Sequence, residues 1–293
     1  MGRLERRVPQ GGDPRVSVVI PSRDGDRGGN VAKLVAALES QSLVPGEIVL
    51  AVGFSPCGRA HNAGARGASG EFLVFLDDDV TLGSPRLVER LVRTLEAEPG
   101  VGLAGAAQRL PEDSGCFARA VAAGSDRAEL PVQTDFVETD MATHAGLAIR
   151  REVYWKAGGE PHDTQRADDQ VLRARVRALG LKVGVAADAW VAHPLPASLP
   201  PYLAARFRDG RAASHDARVR PDLIYDTPDA ASTERPRVTP LPLRALRWGF
   251  RFLRQAASLT PVPLGQVAYA TGYAVDRLLP ATLPAPSSEE SAA

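Results

Sequence analysis

The sequence predicts an α/β fold with a mostly parallel central sheet and helices on both of its faces. Three observations predict it. VSVVI (16–20), EIVLAV (47–52) and FLVFL (72–76) are short apolar runs rich in β-branched residues, the pattern of strands buried on both faces. Between and after them lie segments whose apolar residues recur at helical spacing, so strand and helix alternate as in a doubly wound sheet. Such sheets bind ligands beyond the carboxyl ends of their strands, and two polar stretches, PSRD (21–24) and DDD (77–79), fall at those ends.

Each element has its own local reason. Pro21 stops the first strand, and Asn30 is placed to cap a helix carrying Val31, Leu34, Val35 and Leu38. Pro45-Gly46 breaks the chain before EIVLAV, and CGRAHNAGARGASG suits a short helix with turns. Ser84-Pro85 reads as a helix start, followed by Leu87, Val88, Leu91, Val92 and Leu95 on one face, with Pro99-Gly100 as the stop. VGLAGAA (101–107) reads as a strand, and THAGLAIRREV (143–153) as a strand leading into a short helix that ends at Gly158-Gly159. ADDQVLRARVRALG (167–180) has the acidic start, apolar face and terminal glycine of a helix; the strands KVGVA (182–186) and AWVAH (189–193) follow. The Pro- and Ala-rich stretch from Leu195 to Pro242 reads as a linking segment with little core of its own. The tail after Pro280 reads as disordered.

Composition excludes several classes. Net charge is zero with a pI near 7, so no electrostatic footprint for nucleic acid exists. Cys57 and Cys116 fit neither a metal spacing nor a disulfide framework. The opening MGRLERRVPQGGDP is polar, without the apolar core of a signal peptide, and no run of 18 apolar residues occurs. A cytoplasmic protein is the expectation. Lys33, Lys156 and Lys182 are the only lysines, so chemistry requiring an amine has few candidates.

Three adjacent carboxylates repel one another and resist burial. A turn or helix cap needs one aspartate; Asp77, Asp78 and Asp79 together at the ligand edge of a sheet suit a divalent cation, Mg²⁺ or Mn²⁺, with a substrate's phosphates. A competing reading is a haloacid-dehalogenase-like phosphatase, since DDDVTL (77–82) resembles that family's nucleophile motif. Against it stand Val80 where that motif has glycine, the late position in the chain, and a lysine that Lys156 or Lys182 would have to supply.

VSVVIPSRD, GRAHNAGARGASGEFLVFLDDDV, AGLAIRREVYWKAGG, ADDQVLRARVRALGLKVGVA and WVAH occur in the order and at the spacing of inverting family 2 glycosyltransferases, which the chain resembles over about residues 15–215. The resemblance implies the GT-A fold, with a nucleotide-sugar half (15–110) and an acceptor half (111–215). Around them the expected arrangement is a flexible tail (1–14), a Pro-rich linker (216–240), an amphipathic helical extension (241–280) and a disordered end (281–293). It further implies a nucleotide-diphospho-sugar donor near Pro21, Ser22, Arg23, Asp24, His61, Asn62, Asp77 and Asp78. Metal contacts fall to Asp77 and Asp79, and His193 is either a further ligand or an ordinary core histidine. Of the Asp168–Asp169 pair, Asp169 is the implied catalytic base and Asp168 caps or orients; plain helix capping is the bland alternative. The chain departs from the family at Val52 and Gly53, where acids that recognise the nucleobase usually stand, and Asp24 is the candidate to replace them. A catalytically inactive nucleotide-sugar-binding relative is the non-enzyme reading.

LPLRALRWGFRFLRQAASL (241–259) places Arg244, Arg247, Arg251 and Arg254 along one helical stripe beside Leu243, Leu246, Trp248, Phe250 and Leu253. Such a helix suits an anionic membrane surface on the inner face of the cytoplasmic membrane, where a lipid-linked carbohydrate acceptor would lie. The alternative is a helix packed on the domain with solvated arginines.

Overall fold

A computed structural model of the chain describes residues 2–125, 128–166, 168–221, 241–256 and 260–280. Its centre is a nine-stranded sheet. In chain order the elements are β1 (Arg3–Arg7), β2 (Asp13–Ser22), α1 (Asn30–Glu39), β3 (Pro45–Val52), α2 (Cys57–Gly67), β4 (Phe72–Phe75), β5 (Thr81–Leu82), α3 (Leu87–Ala97) and β6 (Val101–Arg109). Then come α4 (Cys116–Ala123), β7 (Val137–Glu138), β8 (Leu147–Arg150), α5 (Arg151–Lys156), α6 (Asp168–Ala178), β9 (Lys182–Ala192), α7 (Leu199–Val219), α8 (Leu241–Ala256) and α9 (Val262–Leu278).

The strand order is β1-β3-β2-β4-β8-β6-β9-β5, with β7 also paired to β9. β2 is parallel to β3 and β4, and β6 is parallel to β9. β8 runs antiparallel to both β4 and β6, which makes the two parallel groups point the same way. The carboxyl ends of β2, β3, β4, β6 and β9 therefore share one edge. Successive side chains of a strand face opposite sides of the sheet. Val18, Ile20, Val74 and Leu76 accordingly join a core closed by Leu34 and Leu38 of α1 and Leu87, Leu91 and Leu95 of α3. Val19, Leu73 and Phe75 face a second core closed by Ala65 of α2, Tyr154 of α5 and Leu172 and Val176 of α6. Both faces are covered, which is why these strands read as continuous apolar runs.

Four local expectations change. Residues Arg3–Arg7, expected within a loose tail, form edge strand β1 antiparallel to β3. Its five exposed residues carry little apolar signal. Arg6, 3.2 Å from the buried carboxylate of Glu47, ties the strand down. KVGVA and AWVAH are one strand, β9, whose irregularity at Asp188 (φ 52°) shifts its register against β6 without ending it. The stretch from Leu195 to Pro242, expected to link with little core of its own, contains α7, a 21-residue helix. Its prolines, Pro200 and Pro201, sit at the first helical turn, where a missing N–H costs nothing. Asn30 and Ser84 do not cap: Gly29 precedes α1 in a left-handed conformation (φ 83°), and α3 begins at Leu87 with Gln41 accepting from the Val88 N–H.

Helix α7 packs along α9. Gly210 and Gly272 allow the close approach, since a Cβ at either would strike the carbonyl of Tyr269 or Phe207. Residues 222–240 of the expected linker, 257–259 of the arginine-rich segment and the tail 281–293 lie outside the described residues.

Candidate active site

The loop after β4 carries the three aspartates. It is pinned from below by Val80, buried in the core, and from the side by Asn30, whose Nδ2 donates to the carbonyls of Asp78 (2.9 Å) and Val80 (3.2 Å). Asn30 thus braces the acidic loop. Beyond it, Thr81–Leu82 forms β5 and pairs antiparallel with the end of β9, Thr81 opposite Ala192 and Leu82 opposite Val191. That register delivers His193 to the aspartates: Nε2 lies 3.3 Å from Asp79 Oδ1 and 3.8 Å from Asp77 Oδ2.

The three aspartates divide. Ligand atoms of Asp77, Asp79 and His193 lie within 4.8 Å of one another. Asp78 turns aside: Ser22 Oγ donates to its Oδ2 (2.6 Å), and Arg27 Nε is 3.5 Å from its Oδ1. Arg27 also donates to Asp79 Oδ2 (2.5 Å). Burial pushes the Asp77 and Asp78 carboxyls up. Burial acts on Asp79 in the same sense, but the hydrogen bond and charge of His193, with those of Arg27, hold it below the usual range. On His193 burial works downward and is outweighed by its bond to Asp79 and the charges of Asp77 and Asp79, so its imidazole is raised. A set of two carboxylates and one imidazole fits Mg²⁺ or Mn²⁺, and a cation would relieve the burial of Asp77.

Two other groups of potential ligands lie nearby, Cys57–His61–Asp168 and His61–His144–Glu160. Neither suits an ion. The rings of His61 and His144 stack at 3.9 Å and 20°, so their in-plane lone pairs run side by side and cannot meet at one metal. Cys57 itself is exposed, and its sulfur lies 4.0 Å from His61 Nε2.

That stack is a buried floor beneath the crevice. His144 Nε2 is 2.8 Å from Glu160 Oε1; burial opposes its charge, but Glu160 raises its pKa to about 9. His61 Nδ1 lies 3.6 Å from Asp168 Oδ2. Burial opposes the Asp168 anion too, yet the contact with His61 and the nearby His144 keep its carboxyl well below the usual range. Asn62 is wholly engaged: its Oδ1 accepts from Tyr154 Oη (2.7 Å) and Glu160 N (2.9 Å), and its Nδ2 donates to Glu160 O (2.9 Å). His61 and Asn62, expected beside the nucleotide, are therefore buried beneath it, 1 % and 3 % exposed, and support the crevice from inside.

Helix α6 leads to the amino end of β9, so its own first turn, with Asp168 and Asp169, faces the carboxyl edge. Asp168 lies 3.6 Å from His61, whose ring stacks on His144, which sets the first turn of α6 against the buried histidine pair. Asp169 Oδ2 accepts from Arg173 Nη1 (2.8 Å), and Arg173 is itself buried against Asp140 (3.1 Å) and the Ala142 carbonyl (2.7 Å). Of the first-strand residues, Pro21 and Ser22 are buried at the end of β2 while Arg23 and Asp24 are exposed. Asp24 Oδ1 accepts the N–H groups of Asp26 and Arg27, both at 2.9 Å, shaping the loop that carries Arg27. At the end of β3, Val52 is buried and Gly53 takes φ 77°, so that edge offers no acid to a nucleobase.

The phosphatase reading is not favoured. Its Thr81–Leu82 is β5, paired with β9, and neither candidate lysine is placed at the aspartates: Lys182 opens β9 at the opposite edge beside Glu138, and Lys156 ends α5 exposed. Arg27, His144, Glu160 and Arg173 contact the candidate residues and were not singled out in the sequence, and Asn30 was read there only as a helix cap. Only Arg173 left a trace, four residues after Asp169 on one helix face.

Comparison with known proteins shows the family and the fold. The chain is 27 % identical over 234 residues to the O-antigen biosynthesis protein RfbC of Myxococcus xanthus, a match covering 66 % of this chain and 18 % of that protein. The chain thus spans less than a fifth of that relative. The mannosyltransferase PcManGT of Pyrobaculum calidifontis, solved in complex with GDP-Man and Mn²⁺, superposes with a TM-score of 0.53 at 18 % identity, covering 93 % of this chain and 79 % of that one. It shares the fold, a GT-A architecture of a mixed sheet clothed in helices. The family model described as glycosyltransferase like family 2 matches residues 5–212, from β1 into α7. The chain belongs to the family 2-like glycosyltransferases.

Proposed function

We propose that the chain transfers a sugar from a nucleotide-diphosphate donor to an acceptor hydroxyl with inversion, in polysaccharide, cell-wall or glycolipid assembly. The observation that carries the proposal is the meeting of Asp77, Asp79 and His193 at the carboxyl edge, beside the first turn of α6. RfbC, named for O-antigen biosynthesis, and PcManGT, solved with GDP-Man and Mn²⁺, support the substrate class.

Asp77, Asp79 and His193 would hold a divalent cation, Mg²⁺ or Mn²⁺. When bound, that ion supplies positive charge to offset what develops on the diphosphate leaving group. Ser22 and Arg27 orient Asp78 and the loop toward the donor. Asp169 takes the proton of the attacking acceptor hydroxyl, with Arg173 fixing the direction of its carboxylate. Attack opposite the leaving group in one displacement inverts the anomeric centre.

Helix α8 supports a place on an anionic membrane. Leu243, Leu246, Phe250 and Leu253 are exposed along it, Arg247 is exposed beside them, and the segment 241–256 has no acidic residue. An apolar stripe flanked by arginine positions suits the plane of a bilayer surface, and a lipid-linked acceptor would meet the enzyme there. Among the described residues no helix is long and apolar enough to cross a membrane. Incubation with a panel of nucleotide sugars and Mn²⁺, followed by NMR of the released nucleoside diphosphate and of the product's anomeric configuration, tests the proposal. Inverted product, absent with EDTA, is expected; retained configuration refutes it, and binding without turnover marks the inactive relative.

A further inference from the structure

Beyond the end of β6, the chain and helix α4 line an open cavity of about 430 Å³, with Arg109, Glu112, Arg119 and Glu129 exposed around it. It stands at the same carboxyl edge as the acidic loop. The carbonyl of Arg109, a residue of its lining, accepts the His193 N–H at 2.9 Å, so the lining is one backbone hydrogen bond from the residue that carries a candidate metal ligand. Its wall is built to stay open. Arg119 of α4 donates to the carbonyls of Ser114 (2.9 Å) and Glu112 (2.6 Å), holding the rim loop, while Ala122 and Ala123 present the smallest side chains to the space. Glu129 closes the far side and accepts the Leu110 N–H at 3.1 Å.

The charged groups in this cavity are not spent on one another. Arg109 lies over the Trp190 ring at 5.3 Å, and no described carboxylate pairs with it. Arginine offers donors only and carboxylates acceptors only, and a hydroxyl can satisfy both. The mixture of Arg109, Glu112 and Glu129 around alanines suits a ligand dense in hydroxyls with apolar C–H faces. The volume lies in the range of small-ligand pockets.

We infer that this cavity is the acceptor subsite and takes a carbohydrate residue, with Arg109 and Glu129 reading its hydroxyls. The inference rests on the transferase reading above and adds where and by what groups the acceptor is held. Its place also suits a lipid-borne sugar: Gln255 of α8 donates to the Gly124 carbonyl at the end of α4 (3.1 Å), so the helix proposed to face the membrane leans on the cavity's own wall.

Saturation-transfer NMR on the full chain, with a panel of methyl glycosides of neutral sugars and uronic acids, tests it; inorganic phosphate serves as a control. Nucleotide binding is followed separately with UDP and GDP plus Mg²⁺. At least one glycoside should give saturation transfer, Ala123→Trp should abolish it by filling the exposed side of the cavity, and Arg109→Ala should weaken it about tenfold. Nucleotide binding should be unchanged in both variants. Silence of every glycoside, binding that survives Ala123→Trp, or occupancy by phosphate alone overturns the assignment. Loss of nucleotide binding in the unaltered protein would instead sink the transferase reading, whatever the glycosides do.

Discussion

His193 Nε2 lies 3.3 Å from Asp79 Oδ1, placed there by two residue pairs between β5 and β9. The same Thr81–Leu82 that suggests a phosphatase motif in the sequence is the splint that brings the end of β9, and with it His193, to the aspartates. If these residues form that site, His193→Ala and Asp79→Ala should each weaken Mn²⁺ binding by about tenfold or more in calorimetric titration. Asp78→Asn should change it little, because Asp78 faces Ser22 and Arg27.

The proposed base Asp169 and its hydrogen-bond partner Arg173 predict different losses. Asp169→Asn should lower turnover by about 10²–10⁴-fold with donor binding intact. Arg173→Gln leaves the Asp169 carboxylate in place but unaimed and removes a bond to Asp140, so turnover should fall less and its pH profile should move. An unchanged profile with lower stability would mean that Arg173 serves the fold alone.

The buried His144–Glu160 pair makes stability depend on pH. His144 is raised from 6.5 to about 9, so its contribution is complete below pH 6.5 and is lost as pH rises through 9. The thermal midpoint should fall across that window. In His144→Gln the fall should be smaller, measured by calorimetry in EDTA to keep metal binding out of the comparison.

Gly210 sits where α7 crosses α9, facing the Tyr269 carbonyl. Gly210→Val should cost about 1–3 kcal/mol through overpacking. Hydrogen exchange should rise in α7 and α9 while the sheet stays protected, since neither helix contributes to the two cores that close on the strands.

Helix α8 predicts a surface. Flotation with vesicles containing phosphatidylserine should capture the chain, and Leu246→Glu with Phe250→Glu should release it. Equal flotation of that double variant would assign the exposed side chains another role.

The elements legible in the sequence were those whose own residues carry the pattern. β2, β3 and β4 are apolar runs because both faces of the sheet are covered, and α3 and α6 show their buried faces at helical spacing. β1 was hidden because all five of its residues are exposed and its hold is a distant one, Arg6 on Glu47. α7 was masked by prolines that are harmless at a first turn. Asp77 and Asp79 are legible as carboxylates at a strand end, whereas His193 came only with the family resemblance and with an ordinary core histidine equally open. Asn30 passed for a cap and His61 for a nucleotide contact because nothing local says which way a side chain turns once the sheet is assembled.

Titration of UDP and GDP into the full chain with Mn²⁺, repeated with EDTA and with Asp79→Ala, bears most directly on a cation-assisted donor site between Asp77, Asp79 and His193. Saturable binding of one nucleotide, lost in EDTA and in Asp79→Ala, is the predicted result. Binding that survives both, or none to either nucleotide, would contradict it.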